Sequence, residues 1–438
     1  LTSSGGSFTK LGTGTVTLAG ANSYSGGTTV SAGSLIGTTT SLQRAITNNA
    51  AVTFDQATSG TYSGVMSGSG SLTTLGAGAV TLAGANSYSG GTTVSAGSLF
   101  GTTTSLQGAI TNNAAVTFDQ ATNGTYSGAM SGSGSLTKAG SGAVTLAGAN
   151  SYSGGTTVSA GSLIGTTTSL QGDIIIGPLG GFAAVTFDQA TNGSYAGAMS
   201  GSGSLTKLGG GSVILSGNNS YAGATTVSGG ALVINGAVTS SAVTVQNLAT
   251  LGGSGTIGSS VTVLSGGTIS PGNSPGLLTV GTLNLKAGST TLMQIIGVGS
   301  AAGTAGTDYD KLAITTAGGL GYGGTLDLDF SNTATFADGT TFDLFGFTGS
   351  PTGTFISVTS TGSGSYGSLN FSGLGGVWTA LLGSQTLTFS ELSGLLSFQN
   401  SSSPVVPEID PTSFGSALTL LIGSLGLLER RARRRSRA

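Results

Sequence analysis

The sequence predicts an all-β protein: a right-handed parallel β-helix, followed by a smaller β-rich module and one C-terminal transmembrane helix. The first observation is a repeat. The stretch VTLAGANSYSGGTTVSAGSL at residues 16–35 recurs letter for letter at 80–99 and 144–163, and in altered form at 213–232. The second is the alternation of apolar residues with threonine at the start of each copy. The third is a run of 17 uncharged residues ahead of an arginine cluster near the C-terminal end.

The repeat has a long and regular period. Its copies start at Val16, Val80 and Val144, which are equally spaced, and the step to Val213 is slightly longer. Self-similarity at a fixed period indicates a repeat architecture, in which units stack because one unit alone buries too little apolar surface. A unit of roughly 64 residues divides into three coils of about 21 residues, the size of a solenoid rung made of short strands and turns.

The strands of each coil are short. Val16 and Leu18 alternate with threonines, the two-residue period of a strand with one buried face. Clusters of Gly, Ser and Asn between such runs supply the positive φ angles and tight bends of turns. We therefore predict that residues 1–288 form a solenoid of about 13 or 14 rungs and of roughly 65 Å in length. The alternative is a meandering antiparallel sheet or sandwich, and the near-identity of successive units favours stacking.

The composition limits the function. The chain has 82 Gly, no His and no Cys, and only 6% of its residues are charged, but a hydrophobic fraction of 37% argues against disorder. Without cysteine there is no disulfide framework and no thiolate metal site. Six of the 12 basic residues lie among the last nine, so the rest of the chain carries 6 against 14 acidic residues. This balance indicates no nucleic-acid partner.

The third unit carries an insertion. The segment GDIIIGPLGGFAAV at 172–185 replaces GAITNNAAV at 108–116, which adds five residues, Pro178 among them. We expect these residues to bulge from one corner of the solenoid while the rungs on either side stay in register. Insertions in repeat proteins often form the binding surface, but tolerated loop drift is the favoured explanation here.

The repeats carry a family resemblance. The unit GANSYSGGTTV, with its approach of the type LTKLG at 205–209, resembles the autotransporter-associated β-strand repeat. The run SPGNSPG at 270–276, whose prolines favour a tight turn, resembles the turn that commonly follows this repeat. The resemblance covers about 270 residues. It implies scaffolding in a surface protein and does not imply a particular activity.

Residues 289–403 are predicted to form a separate β-rich module. Its heavier core is expected from the only tryptophan, Trp378, and from phenylalanines that include Phe342, Phe345, Phe347, Phe355, Phe371 and Phe389. We expect an antiparallel sheet that covers the open end of the solenoid and protects its unpaired strand edges. Four of the acids in this range are Asp308, Asp310, Asp327 and Asp329. Their carboxylates are of the type that ligates calcium, but they fit no calcium-binding motif, and solvated outward positions on strands are the favoured explanation.

The C-terminal residues predict a membrane anchor. A proline-rich segment at 404–411 precedes the uncharged run 412–428, which would span about 25 Å as a helix. The tail 429–438 holds the basic residues Arg430, Arg431, Arg433, Arg434 and Arg435. Basic clusters stay in the cytoplasm, so the solenoid is expected outside. A helix that caps the globular body is the alternative.

These three parts resemble the PEP-CTERM sorting signal of Gram-negative bacteria. The motif residues are Val406, Pro407, Glu408, Ile409, Asp410 and Pro411. The commonest form has a second proline after the glutamate, so this motif resembles the VPEID variant. The resemblance implies recognition by an exosortase, a membrane-embedded cysteine protease. It also implies anchoring in the inner membrane before cleavage near the motif, and then transfer of the body to the cell surface or the extracellular matrix.

An enzyme of the polysaccharide lyase or hydrolase type is a weaker hypothesis. Such enzymes need clustered carboxylates on one face. The rungs offer repeat-equivalent acids and lysines and one acid in the insertion: Asp55, Asp119 and Asp188, Lys10, Lys138 and Lys207, and Asp173. Copies three rungs apart would be separated by about 14 Å, too far for a carboxylate pair. We therefore predict no catalytic, cofactor or metal site, and interpret these residues as turn or ladder residues.

Two further hypotheses remain. The first is an exported structural protein of the cell surface or matrix. The second is an adhesin that uses residues 172–182, or the threonine-rich rung face, to bind a polysaccharide such as an exopolysaccharide. Because the chain opens on Leu1 without an export signal, we also expect a fragment or a processed form.

Overall fold

The protein is an all-β parallel solenoid of about 14 turns, as its sequence predicts. A computed structural model describes residues 1–178, 182–272, 275–297, 303–330, 336–362 and 365–400. Within these ranges there is no helix, and every strand pair up to residue 330 is parallel. The antiparallel meander is therefore wrong, whereas the right-handed sense of the coil stays a prediction. The helix predicted at 412–428 lies outside the described residues.

Each repeat unit contributes eight short strands. Those of the first unit are β1 (Phe8–Lys10), β2 (Thr15–Leu18), β3 (Thr28–Val30), β4 (Ser34–Gly37), β5 (Ile46–Asn48), β6 (Ala51–Asp55), β7 (Gly60–Tyr62) and β8 (Met66–Ser67). The second unit repeats them as β9 (Ser71–Leu75), β10 (Ala79–Leu82), β11 (Thr92–Val94), β12 (Ser98–Gly101), β13 (Ile110–Asn112), β14 (Ala115–Asp119), β15 (Gly124–Tyr126) and β16 (Met130–Ser131). The third has β17 (Ser135–Ala139), β18 (Ala143–Leu146), β19 (Thr156–Val158), β20 (Gly161–Gly165), β21 (Ile174–Ile176), β22 (Ala183–Asp188), β23 (Gly193–Tyr195) and β24 (Met199–Gly201).

The remaining strands follow a less regular spacing. The coil continues through β25 (Ser204–Leu208), β26 (Ser212–Leu215), β27 (Asn218–Asn219), β28 (Thr225–Val227), β29 (Gly230–Ile234), β30 (Ala237–Val238), β31 (Val243–Val245), β32 (Ala249–Gly253), β33 (Thr256–Val263), β34 (Thr268–Pro271), β35 (Leu277–Leu285) and β36 (Thr290–Gln294). The C-terminal part has β37 (Lys311–Ile314), β38 (Leu320–Tyr322), β39 (Thr325–Asp329), β40 (Thr341–Asp343), β41 (Phe345–Gly346), β42 (Thr352–Gly353), β43 (Ser357–Thr361), β44 (Ser372–Leu374), β45 (Val377–Leu382), β46 (Gln385–Ser390) and β47 (Leu395–Asn400).

The two-residue period places one side of each strand in a continuous core. In β10, for example, Val80 and Leu82 are buried, while Ala79 and Thr81 between them are partly exposed. Apolar side chains from every turn join the same core cluster. Because each turn is covered by the next, side chains as small as valine suffice to exclude water from a narrow interior.

One turn of the coil is shorter than the sequence period suggests. The stacked partners Leu72, Thr92, Ile110 and Met130 lie on four consecutive rungs, so a turn takes about 19 residues. The longer turn that the sequence predicts, one third of a repeat unit, is therefore wrong. Three turns fall short of one unit by roughly one strand with its corner. Each unit therefore starts about one face further round the coil than the unit before it.

Sheet membership shows this rotation directly. The equivalent strands β2, β10, β18 and β26 belong to four different sheets. The coil has three faces, and each face carries more than one sheet along its length. A sheet ends where turn residues replace a strand on that face, and a new sheet starts on the same face further along. Beyond β16, for instance, Ser151 donates its N–H to the carbonyl of Met130 (2.8 Å) and Asn150 donates to that of Thr168 (3.0 Å). The next strand on that face is β23, where a Cβ at Gly193 would touch Thr167.

Buried asparagines hold the rungs together where the turns interrupt a face. The side-chain oxygen of Asn86 accepts the N–H of Met66 (2.8 Å), and its Nδ2 donates to the carbonyl of Ser105 (2.8 Å). Asn150 makes the same two bonds to the neighbouring rungs. These amides satisfy buried backbone groups that lack a strand partner, which an apolar side chain would leave unpaired.

Parallel pairing runs past the predicted boundary at residue 288. Strand β36 pairs with β39, and β39 with β43, all parallel. The antiparallel sheet that the sequence predicts is present, in the order β40-β47-β46-β45-β44. Its strands start at Thr341, so the coil and the antiparallel sheet share the region 341–361 instead of meeting at one boundary.

Candidate functional site

The inserted segment of the third unit connects β21 and β22, which belong to different sheets and so meet at a corner of the solenoid. Strand β21 keeps its place in the ladder, because Ile174 pairs with Thr156 on one side and Met199 on the other. Strands β20 and β22 also stay in register, with Leu163 opposite Val185. The five extra residues therefore lie between β21 and β22, as the sequence predicts.

An aromatic side chain marks this corner. Phe182 is 101% exposed, and its carbonyl accepts the N–H of Gly161 (2.9 Å), so the backbone is held while the ring faces solvent. Beside it lies an open cleft of about 620 Å³, lined also by Asn123, Ser141 and Ser204. A ring of this kind can stack on a flat apolar ligand face. The sequence analysis named the range 172–182 but not Phe182 itself. The feature that would have identified Phe182 is an aromatic residue inside an insertion.

The carboxylates of the rungs lie on different faces. Asp55, Asp119 and Asp188 end β6, β14 and β22, which belong to three different sheets. The prediction that they form a single column three rungs apart is therefore wrong, because each unit is rotated about the coil axis. Asp173 accepts the N–H of Ala198 (2.8 Å) and stands at the start of β21. The structure does not bring these four acids together.

The repeat-equivalent lysines are buried. Lys138 is 0% exposed, and its Nζ donates to the carbonyls of Ala139 (2.5 Å), Gly140 (2.9 Å) and Ala160 (3.1 Å). Burial lowers the pKa of Lys138, and the nearby Asp119 partly opposes this shift. Lys10 and Lys207 make the same three types of bond. These lysines tie one corner to the next rung, which confirms their interpretation as ladder residues.

The acids of the C-terminal part differ in environment. Asp310 is 1% exposed and accepts the N–H groups of Gly276 (2.7 Å) and Gln294 (2.8 Å). Burial raises its pKa to about 7. Asp327 instead accepts the hydroxyl of Thr361 (3.1 Å) near the surface. The outward position expected from the sequence is therefore wrong for Asp310. Among the described residues, no three acidic side chains converge as a metal site would require.

The predicted sorting signal lies beyond the described residues. This applies to the motif Val406, Pro407, Glu408, Ile409, Asp410 and Pro411, and to the cluster Arg430, Arg431, Arg433, Arg434 and Arg435. In the part of the chain that the structure describes, no helix has the length and apolar character needed to cross a bilayer.

The fold and its surfaces define a class of protein, a repeat-built β-solenoid that fits a surface protein of the autotransporter-passenger type. A family model described as Passenger-associated-transport-repeat matches residues 8–36, 67–99, 136–164 and 205–234. These segments contain the Asn-Ser-Tyr turns, and they support the resemblance to the autotransporter-associated β-strand repeat. No curated protein matches the chain.

Proposed function

We propose that this protein is an exported structural component of the bacterial cell surface or extracellular matrix. The observation that carries the proposal is the continuous core shared by about 14 stacked turns. Each turn adds about 4.8 Å of length, so the coil is a stiff spacer whose length follows from the number of turns. Threonine and serine on its outer faces keep it hydrated with few charges, which suits a matrix component.

The C-terminal signal supplies the route to the surface. In this proposal residues 412–428 hold the chain in the inner membrane with the arginine tail in the cytoplasm. An exosortase then cleaves near Val406–Pro411 and releases the solenoid outward. The support is the order of motif, apolar run and basic cluster in the sequence.

Cell fractionation tests the sorting step. The full chain, preceded by an export signal, is expressed in a Gram-negative host that carries an exosortase gene and in a strain from which that gene is deleted. We expect a shortened product outside the inner membrane in the first strain, and a full-length product in the membrane fraction in the second. Pro407→Ala should behave like the deletion, and Pro404→Ala, in the same segment but outside the motif, should not. Processing that is unchanged without the exosortase would contradict the proposal.

A binding function is the second candidate, because Phe182 is fully exposed beside an open cleft. Glycan-array binding by Phe182→Ala tests it. Leu248→Ala is the matched control, because Leu248 is 84% exposed and lies elsewhere on the coil. We expect Phe182→Ala to weaken polysaccharide binding at least tenfold and the control to leave it unchanged. Deletion of 173–182 is unsuitable, because it removes β21 from the ladder. Equal polysaccharide binding by both variants would rule out the corner at Phe182 as the binding site.

A further inference from the structure

One buried position of the repeat is a lysine in three units and a threonine in the other. The first, third and fourth units have Lys10, Lys138 and Lys207 there, and the second unit has Thr74. In each of the three lysine units, the ammonium donates to three backbone carbonyls that surround it. The corresponding carbonyls of the second unit belong to Leu75, Gly76 and Ala96.

The backbone of the second unit keeps the lysine-binding shape. Thr74 pairs with Val94 as Lys138 pairs with Val158. Gly76 has a φ of 78° and Gly140 a φ of 71°, so the carbonyls turn in the same way. A Cβ placed on Gly97 would lie 2.7 Å from the carbonyl oxygen of Gly76, the same distance as at the equivalent pair in the third unit. The carbonyl of Gly76 therefore keeps the position that its counterpart has beside the ammonium, and the shared register places the carbonyls of Leu75 and Ala96 at the same corner.

Thr74 does not supply the ammonium that the other three units place there. Thr74 is 1% exposed, and its Oγ1 has no hydrogen-bond partner among the described residues. Its side chain is three bonds shorter than that of lysine, so it does not reach the carbonyls. The carbonyl of Leu75 accepts the N–H of Gln56 at 3.3 Å, which leaves its second lone pair for another partner. A buried, unpaired hydroxyl at a corner with backbone carbonyls would be satisfied by an occupant that interacts with both.

The local charge favours a cation over water. In the third unit, Asp119 lies close enough to Lys138 to act on its charge, and Asp188 does the same with Lys207. Asp55 holds the equivalent register position in the second unit, because it lies opposite Leu75 as Asp119 lies opposite Ala139. The second unit thus keeps the carboxylate and the carbonyls but has lost the positive charge.

We propose that a monovalent cation of ammonium size, such as K⁺, binds in the second unit in place of the lysine ammonium. Its ligands are the carbonyl oxygens of Leu75, Gly76 and Ala96 and the hydroxyl of Thr74. Backbone carbonyls replace the hydration shell of K⁺ in this way in selective sites. Divalent cations fit less well, because they require several carboxylates and the site has one nearby.

Thermal unfolding in matched salts tests the site. The full chain is melted in KCl and in N-methyl-D-glucamine chloride at equal ionic strength. A cation that binds only the folded state raises the Tm with its concentration, and we expect a saturable increase of about 2 °C in KCl. The variant Thr74→Lys restores the side chain of the other units, so it should remove the K⁺ dependence and raise the Tm in the K⁺-free salt.

A reciprocal variant keeps the test decisive if Thr74→Lys folds poorly. Lys138→Thr recreates the same site in the third unit, and we expect the K⁺-dependent increase in Tm to about double. In crystals grown with Rb⁺, an anomalous peak should lie among the four oxygens of the second unit. Equal Tm values of the natural chain in the two salts, or a K⁺ dependence that survives in Thr74→Lys, would overturn the proposal and leave water as the occupant.

Discussion

The repeated coil and the C-terminal end both enclose an apolar core, but they fill it with different arrangements of aromatic side chains. In the coil, aromatic contacts occur as isolated pairs, such as Phe118 and Tyr126 with ring centroids 5.1 Å apart. At the C-terminal end one cluster joins six rings: Tyr309, Phe330, Phe336, Phe342, Tyr366 and Phe398. A coil turn is covered by the next turn, whereas the last turn has no successor. Large rings and an antiparallel sheet therefore close the core there.

The two regions also satisfy buried polar groups differently. In the coil, one repeated amide type bridges consecutive rungs, as Asn86 does between Met66 and Ser105. At the end, Gln385 donates to the carbonyl of Phe336 (3.0 Å) and accepts the hydroxyl of Tyr366 (2.6 Å), a network found once among the described residues. Repetition spreads stability over many equivalent small contributions, and the end concentrates it in a few residues.

The largest expected effect is at the ring cluster. Phe398→Ala should lower the free energy of unfolding by about 3–5 kcal/mol, because Phe398 contacts rings on several elements. Phe118→Ala, which removes one ring contact in the coil, should cost less. Urea denaturation followed by Trp378 fluorescence reports on the end, and circular dichroism reports on the coil. The control is Leu381→Ala, which should change little because Leu381 is 70% exposed. A larger cost for Phe118→Ala would reverse the comparison.

A smaller effect is expected from a rung amide. Asn112 donates to the carbonyl of Ser135 (2.8 Å) and accepts the N–H of Ala114 (3.2 Å). Asn112→Ala should cost about 1–3 kcal/mol, because it leaves both groups unpaired. The third unit has the fully buried Ile176 at this position, so Asn112→Ile should cost less than the alanine variant. If denaturant unfolding ranks the isoleucine variant as the less stable of the two, the units are not interchangeable at this site.

The pH dependence of stability should originate at the end. The folded-state pKa of Asp310, about 7, exceeds its ordinary value of 3.8, so the folded protein binds this proton more tightly than the unfolded chain. The contribution of Asp310 to the free energy of unfolding is fully present below about pH 4 and decreases as the pH rises toward 7. The slope of this decrease is at most about 1.4 kcal/mol per pH unit. Asp310→Asn should flatten this slope. Unfolding curves between pH 4 and 8 measure it, and an unchanged slope would assign the proton to another group.

The smallest expected effect is at the ion pair between Lys311 and Asp343, which connects β37 of the coil with β40 of the end sheet. Both side chains are partly exposed, so solvent screens their attraction. Lys311→Met should lower stability by about 0.5 kcal/mol or less. Thermal unfolding in low and high salt checks this result. A loss several times larger would mean that the ion pair is essential for the junction between the regions.

The sequence by itself determined the repeat, the strands and the place of the insertion. These features are local: alternation in Val80–Leu82 selects the buried face, glycine clusters permit the turns, and near-identical units stack because they can share one core. The place of the insertion between β21 and β22 followed from comparison with the preceding unit. The heavier core at the C-terminal end followed from its phenylalanine content.

Only the tertiary structure decided which residues meet. The turn length of about 19 residues depends on corner geometry and not on the repeat period, and this mismatch places Asp55, Asp119 and Asp188 on separate faces. The burial of Lys138 and Asp310 is likewise invisible in the sequence, because a charged residue in a strand pattern is ordinarily solvated. Their environment comes from backbone groups of their own corner and of other parts of the coil, and those groups are brought into contact only when the chain coils.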